Sequence, residues 1–216
     1  RSIETANKAV NIIDDSKPFF KVTALLSLGQ LQAAYGLHSE ATVTFEKAMD
    51  LADQIDFHFG SLTALSNLAI NLNWIGKRRE AELLCKEALH QYTDENGRLF
   101  PLASMAYLPL GMVNYEQNEL EEAYQYLEKG ISFAHEWSLA QVMGLGEWFM
   151  SKTLFALGKK DESYQLIEKT IETATSIGQQ GLVHLMSFVK VDLYLKDEKY
   201  QEAFLWAEQV KDSLQL

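Results

Sequence analysis

Residues 29–48 read GQLQAAYGLHSEATVTFEKA. Gly29 and Ala41 stand twelve residues apart, Phe45 follows Ala41 by four, and Ala48 follows by seven. An i, i+4, i+7 spacing lays one stripe of small and apolar side chains along a single helix face. Gly36 lies between Gly29 and Ala41, where a left-handed turn residue ends one helix before the next begins. The stretch therefore encodes two helices that cross where their side chains are smallest.

The same pattern recurs down the chain. Its anchors are Ala41, Ala81, Ala123, Ser163 and Ala203, spaced 40, 42, 40 and 40 residues apart, and each follows a Glu (Glu40, Glu80, Glu122, Glu162, Glu202). Four residues after each anchor come Phe45, Cys85, Leu127, Ile167 and Ala207; seven after come Ala48, Ala88, Gly130, Thr170 and Val210. Twelve before come Gly29, Ala69, Gly111, Ser151 and Val191, and five before come Gly36, Gly76, Asn118, Gly158 and Glu198. Glu198 alone breaks the turn rule. Each anchoring Glu sits in a first helical turn, where the helix dipole favours negative charge. No run shows sustained apolar/polar alternation, so no strands are expected.

The repeat predicts first helices near 20–35, 58–75, 99–117, 139–157 and 179–196, and second helices near 39–54, 78–93, 120–136, 160–177 and 199–213. The chain divides into units 22–61, 62–103, 104–143, 144–183 and 184–216, with 1–17 as the second half of a truncated unit. Gly29, Ala69, Gly111 and Ser151 face Ala41, Ala81, Ala123 and Ser163 where the helices of a hairpin cross, and Ala203 holds the same place in the last unit. A Leu at such a site would cost about 1–3 kcal/mol through overpacking. Pro109 is expected to kink the third first helix. The fold expected is an all-α, right-handed superhelical solenoid of about five helix–turn–helix repeats plus one N-terminal helix. No unit is stable alone, because each buries a face on the next.

These positions resemble the tetratricopeptide repeat (TPR), with a period lengthened from about 34 to about 40 residues. The stretch from Gly97 to Trp137, with Leu110-Gly111, Tyr115-Glu116, Asn118, Leu120 to Ala123, Leu127-Glu128, Gly130-Ile131 and Ala134, is similar to the sensor region of MalT-type regulators of the LuxR class. That resemblance implies a cytoplasmic transcriptional regulator in which the solenoid binds an effector and self-associates. It also implies a signalling ATPase and a helix-turn-helix elsewhere in the parent. Neither a phosphate loop nor a basic recognition helix occurs in these 216 residues. The chain opens on Arg1 and ends without a helix-stop signal, so both ends read as cut.

Composition narrows the function further. A net charge of −11 argues against direct nucleic-acid binding through this segment, and the lone Cys85 argues against a disulfide scaffold. No run of about 18 apolar residues exists, so no membrane span is expected. His38, His58, His90, His135 and His184 never pair at helical spacing, so no metal site is expected. Cys85 takes the place held by Phe45 and Leu127 and reads as core. Glu116, Glu119, Glu121, Glu122 and Glu128 read as a solvated helix start. An enzyme is the weakest reading, since no nucleophile, base and orienting residue stand at workable spacings, and no cofactor is expected.

The informative residues are those projected onto the concave face, which first helices line in TPR arrays. They are Gln30, Ser66, Asn73, Met112, Tyr115, Trp148, Lys152, Phe188 and Asp192, with Trp74 and Phe155 adjacent. Exposed aromatics among polar side chains suit a small-molecule or peptide effector, or a protein. The competing expectation is that they pack between repeats. A chaperone-type carboxylate clamp is rejected, because of the matching sites Leu26, Gln30, Asn67, Met105 and Pro109 only Asn67 fits. The alternative to an effector-sensing segment is a general TPR protein-interaction scaffold or peptide-binding regulator.

Overall fold

A computed structural model describes residues 2–136 and 140–211, with side chains for 2–136 and 144–208. Trp137 and the side chain of Val210 lie outside the described residues. The elements, in order, are α1 (Ser2–Ile12), α2 (Pro18–Ala34), α3 (His38–Gln54), α4 (His58–Trp74), α5 (Arg78–Gln91), a 3-10 helix (Pro101–Ala106), α6 (Tyr107–Glu116), α7 (Leu120–Glu136), α8 (Ala140–Ala156), α9 (Lys160–Ser176), α10 (Gln180–Lys196) and α11 (Tyr200–Lys211). Five hairpins follow α1: α2–α3, α4–α5, the 3-10 helix and α6 with α7, α8–α9 and α10–α11. They begin at Pro18, His58, Pro101, Ala140 and Gln180, three or four residues ahead of the unit starts drawn from the repeat.

The packing order defines an inner and an outer face. Each helix packs on its neighbour in sequence, and first helices also touch one another as α2·α4, α4·α6, α6·α8 and α8·α10. Second helices make no such contacts with each other among the described residues. First helices therefore crowd one side of the solenoid and second helices splay on the other. The first-helix face is the concave one.

The turns repeat to the atom. The amides of Leu37, Lys77, Glu119, Lys159 and Lys199 each donate to the carbonyl five residues back, at 2.8–2.9 Å, which closes a Schellman cap on every first helix. The left-handed residue inside each cap is Gly36, Gly76, Asn118, Gly158 or Glu198, with φ of 76, 80, 64, 79 and 57°. Glu198 thus obeys the turn geometry while breaking the turn composition, which corrects the sequence expectation. The cap hydrogen bonds and the packing on both sides hold it where a side chain costs about 1–2 kcal/mol.

The crossing residues are buried as the repeat requires. Ala41, Ala69, Ala81, Ala123, Ser151 and Ser163 are fully enclosed, and Ala203 nearly so. A Cβ on Gly29 would lie 2.5 Å from the Phe45 ring, and one on Gly111 would lie 2.5 Å from Leu127 Cγ. In the fourth hairpin two serines take these places, and Ser163 Oγ donates to the Ser151 carbonyl at 2.7 Å. The last hairpin departs: Val191 is half-buried and Ala207 exposed, because no further helix covers them in the described residues.

Pro109 does not kink a long helix, which corrects the expectation; the chain changes helix type ahead of it. Thr93 and Leu99 form an isolated antiparallel bridge, and the Phe100 amide donates to the Tyr92 carbonyl at 2.8 Å. That loop ends at Pro101, and a 3-10 helix runs to Ala106 before the α-helix begins at Tyr107. Pro109 then falls in the first turn of α6, where backbone N–H groups have no intrahelical acceptor.

Successive hairpins are tied by polar contacts at recurring positions. His38 Nδ1 lies 2.8 Å from Asn71 Oδ1, while Asn71 Nδ2 donates to the His38 carbonyl at 2.9 Å. Forty residues on, Arg78 pairs with Glu116 at 3.4 Å. Lys160 of the fourth hairpin pairs with Asp197 of the fifth, and Tyr164 Oη donates to Asp197 Oδ2 at 3.2 Å, while Lys199 pairs with Asp197 inside the fifth hairpin. Leu120 holds the equivalent place in the third hairpin, and there Lys159 Nζ sits 5.2 Å over the Tyr124 ring.

Candidate functional site

The concave face carries one aromatic cluster built from three first helices. Trp74 ends α4, Tyr115 lies near the end of α6, and Trp148, Phe149 and Lys152 occupy successive turns of α8. They do not come from equivalent turns: Trp74 and Tyr115 lie at the ends of their helices, whereas Trp148 and Phe149 lie eight and seven residues before the end of α8. Trp74 lies 6.0 Å from Trp148 and 6.2 Å from Phe149, and Tyr115 lies 5.8 Å from Phe149, all centroid to centroid. Phe149 is enclosed and forms the floor; Trp74 is 49% exposed and forms the lip.

Lys152 caps this cluster. Its Nζ stands 4.7 Å from the Tyr115 centroid, 5.2 Å from Phe149 and 5.8 Å from Trp148. Burial holds the Lys152 ammonium below its usual pKa, and burial likewise raises that of the Tyr115 phenol. The neighbouring charges are Glu116 on α6 and Asp192 and Lys196 on α10. Glu116 is engaged by Arg78, and Asp192 by Lys196 at 2.7 Å.

A pocket of about 390 Å³ adjoins the cluster at Trp74. Gln30, Ala33 and Ala34 of α2, His38 and Phe45 of α3, and Asn67, Ile70, Asn71 and Trp74 of α4 line it. Gln30 Nε2 donates to Asn67 Oδ1 at 3.3 Å, a link across two hairpins. Its walls are apolar with amide groups at the rim, a lining that suits an organic ligand or a peptide backbone.

The projected residues thus divide. Gln30, Trp74, Tyr115, Trp148, Lys152 and Asp192 share the concave face. Ser66 and Asn73 are buried and Met112 is completely enclosed, so these three belong to the packing and not to the surface, a correction to the projection. Phe155 has its ring contact with Tyr164 and Phe188 with Trp206, so neither ring joins the Trp74–Trp148 cluster. Sequence reasoning missed Phe149 as the floor, and Lys196, whose i, i+4 spacing from Asp192 was available as a signal. Asn67 and His38, which the sequence marks only as a clamp-site match and an unpaired histidine, also line the pocket.

Elsewhere, Cys85 is fully buried and its thiol is pushed up by desolvation, the opposite of an activated nucleophile. Among the described residues no group of three or more His, Cys, Asp and Glu could hold a metal ion, and no helix is long and apolar enough to cross a membrane. On the outer face a pocket of about 500 Å³ opens between α7 and α9, with the half-buried Glu147 3.8 Å from His135.

A solenoid of TPR-like hairpins with an aromatic, cation-capped inner face is a binding module in architecture. The chain belongs to the MalT-like TPR region family, whose model matches residues 1–215. No curated protein matches it. Among solved structures, it is similar to the Rap conjugation gene regulator of the plasmid pLS20 in complex with the Phr* peptide, at 18% identity and a TM-score of 0.74. That likeness covers 98% of this chain and 58% of the other, so the chain spans a little over half of that regulator's length.

Proposed function

We propose that this region is the effector- or partner-binding and self-association segment of a cytoplasmic LuxR/MalT-type transcriptional regulator. It takes its ligand on the concave face, and binding shifts the curvature of the solenoid. It works by binding alone, without turnover or a cofactor. Any ATPase and any DNA reader lie in other parts of the parent protein. The observation that supports this reading is the gathering of Trp74, Tyr115, Trp148 and Lys152 from three helices onto one accessible face beside the amide-rimmed pocket. An exposed Trp forgoes about 1.5–3 kcal/mol of burial, which a bound ligand recovers. Among the described residues the helices pack only within a hairpin and onto the next one, so a ligand bridging α4, α6 and α8 spans three hairpins and biases their relative tilt.

The solved neighbour is bound to a peptide, which favours a peptide among the candidate ligands. The test is a thermal-shift screen of the protein, and of its full-length parent, against peptide and metabolite panels. One ligand is expected to raise the melting temperature, and Trp74→Ala and Trp148→Ala are expected to abolish that rise. A ligand whose stabilisation survives both substitutions, or the failure of every ligand in both proteins, defeats the concave-face reading. The alternative scaffold reading gains if a pull-down recovers one stoichiometric protein partner whose binding does not need Trp74.

A further inference from the structure

We infer that the concave cluster selects a ligand bearing a carboxylate beside a flat apolar group, with Lys152 as the anion's partner and Trp74 and Trp148 as the apolar wall. This rests on the concave-face reading and adds the chemical class of the ligand.

The argument starts from the charges. Four charged side chains gather from α6, α8 and α10, namely Glu116, Lys152, Asp192 and Lys196, and Arg78 reaches Glu116 from α5. Arg78 answers Glu116 and Lys196 answers Asp192. Lys152 remains, with no carboxylate among the described residues in ion-pair contact with it. The three rings around it attract the cation through their electron-rich faces, yet supply neither formal negative charge nor a strong hydrogen-bond acceptor. An ammonium has three N–H donors to satisfy. Half-burial has already removed part of their water, which is why the group is easier to deprotonate than a free Lys. A carboxylate at Nζ supplies both the missing charge and the missing acceptors, in a setting drier than bulk water where such a pair is stronger.

The rest of the chain sharpens the contrast. A protein of net charge −11 repels anions over most of its surface, so an anion gains here and not at random. The geometry also sets a direction. Trp148 lies between Lys152 and Trp74, and Trp74 in turn lines the pocket rimmed by Gln30 and Asn67. A ligand whose carboxylate meets Lys152 therefore lays its apolar group on the Trp148 and Trp74 rings. It continues towards amide groups that pair with amides. A peptide ending in an aromatic residue has this sequence of groups.

The probes are N-acetylphenylalanine and N-acetylphenylalanine amide, which differ only in the carboxylate. Binding to the protein is followed by the indole N–H resonances of Trp74 and Trp148. The acid is expected to bind at least tenfold more tightly than the amide, and added salt is expected to narrow that gap. Lys152→Met is expected to lower the acid to the affinity of the amide, and Lys152→Arg to retain most of the preference. The acid–amide comparison and its salt dependence need no variant, so they stand even if Lys152→Met is poorly folded. Equal binding of acid and amide at the two tryptophans would overturn the anion preference and leave the concave-face reading intact. An acid preference that survives Lys152→Met in a folded protein would assign the anion to another cation. If neither probe moves either indole resonance, the cluster is not a ligand site and both conclusions fall.

Discussion

Gly111→Ala sets helix propensity against close packing at one position. Alanine favours a helix over glycine by about 1 kcal/mol, so the substitution is stabilising wherever there is room. At Gly111 there is none. The new Cβ would lie 2.5 Å from Leu127 Cγ, 2.8 Å from its Cδ2 and 3.0 Å from its backbone nitrogen. The first contact is with a branch point and the last with the main chain, so no terminal rotation relieves them; α6 and α7 have to move apart. Overpacking of this kind costs about 1–3 kcal/mol, and the backbone contact places it in the upper half of that range. Subtracting the propensity gain leaves a net destabilisation of about 1–2 kcal/mol. For a chain of this size that is a fall of about 2–8 °C in melting temperature. Gly181→Ala is the internal control. It is the same substitution near the start of α10, with nothing within 4 Å of the new Cβ, and is expected to raise stability by about 0.5 kcal/mol. Both are measured by urea denaturation followed by far-ultraviolet circular dichroism. If Gly111→Ala is neutral or stabilising, the crossing is not tight and the account of the small residues is wrong.

Three further outcomes are expected. Glu198→Gly relieves a left-handed side-chain residue and should stabilise by about 0.5–1 kcal/mol in thermal melts, the balance of relieved strain and added chain entropy; a loss would show that the Glu198 side chain contributes more than its backbone costs. Asp197 is held down to about 2, against an ordinary 3.8, chiefly by Lys160 and then by Lys199 and Tyr164. Its ionised form therefore contributes stability that is complete above pH 3.8 and is lost as pH falls through about 2. Asp197→Asn should be less stable than the native protein near neutrality, with the difference closing across that acid window in urea titrations; a difference that ignores pH would refute the assignment. Cys85, buried with its thiol pushed up, should resist a thiol-specific reagent in the native protein and react at once in denaturant. Fast native labelling would contradict its core position.

The hairpins and their crossing residues were legible because two periods coincide in the sequence. A 40-residue repeat locates each unit, and the spacing of Gly29, Ala41, Phe45 and Ala48 locates the contact within it. The concave site was only partly legible, and α6 shows why. Every residue from Leu108 to Asn114 is buried, so no polar stripe marks which side faces the groove, and Met112 was assigned to the wrong one. Trp74, Tyr115 and Trp148 lie near helix ends or half-exposed turns, where the burial pattern breaks and the sequence can mark an accessible side. Glu198 was misjudged for a different reason. Composition reports what a turn prefers, whereas hydrogen bonds and neighbouring hairpins decide what it adopts. The 3-10 helix was out of reach, since it depends on a bridge between Thr93 and Leu99 that helical periodicity does not describe.

The ties between successive hairpins have a mechanical consequence. The first joint is held by the uncharged amide of Asn71, the second by the ion pair Arg78–Glu116, the third by Lys159 over Tyr124, and the fourth by Lys160 and Tyr164 on Asp197. Ionic strength weakens exposed ion pairs and leaves amide hydrogen bonds nearly untouched. The solenoid is thus a spring whose coils differ in stiffness. Raising the salt slackens its second coil, where both partners are partly exposed, before its first, so an applied bend does not spread evenly along its length.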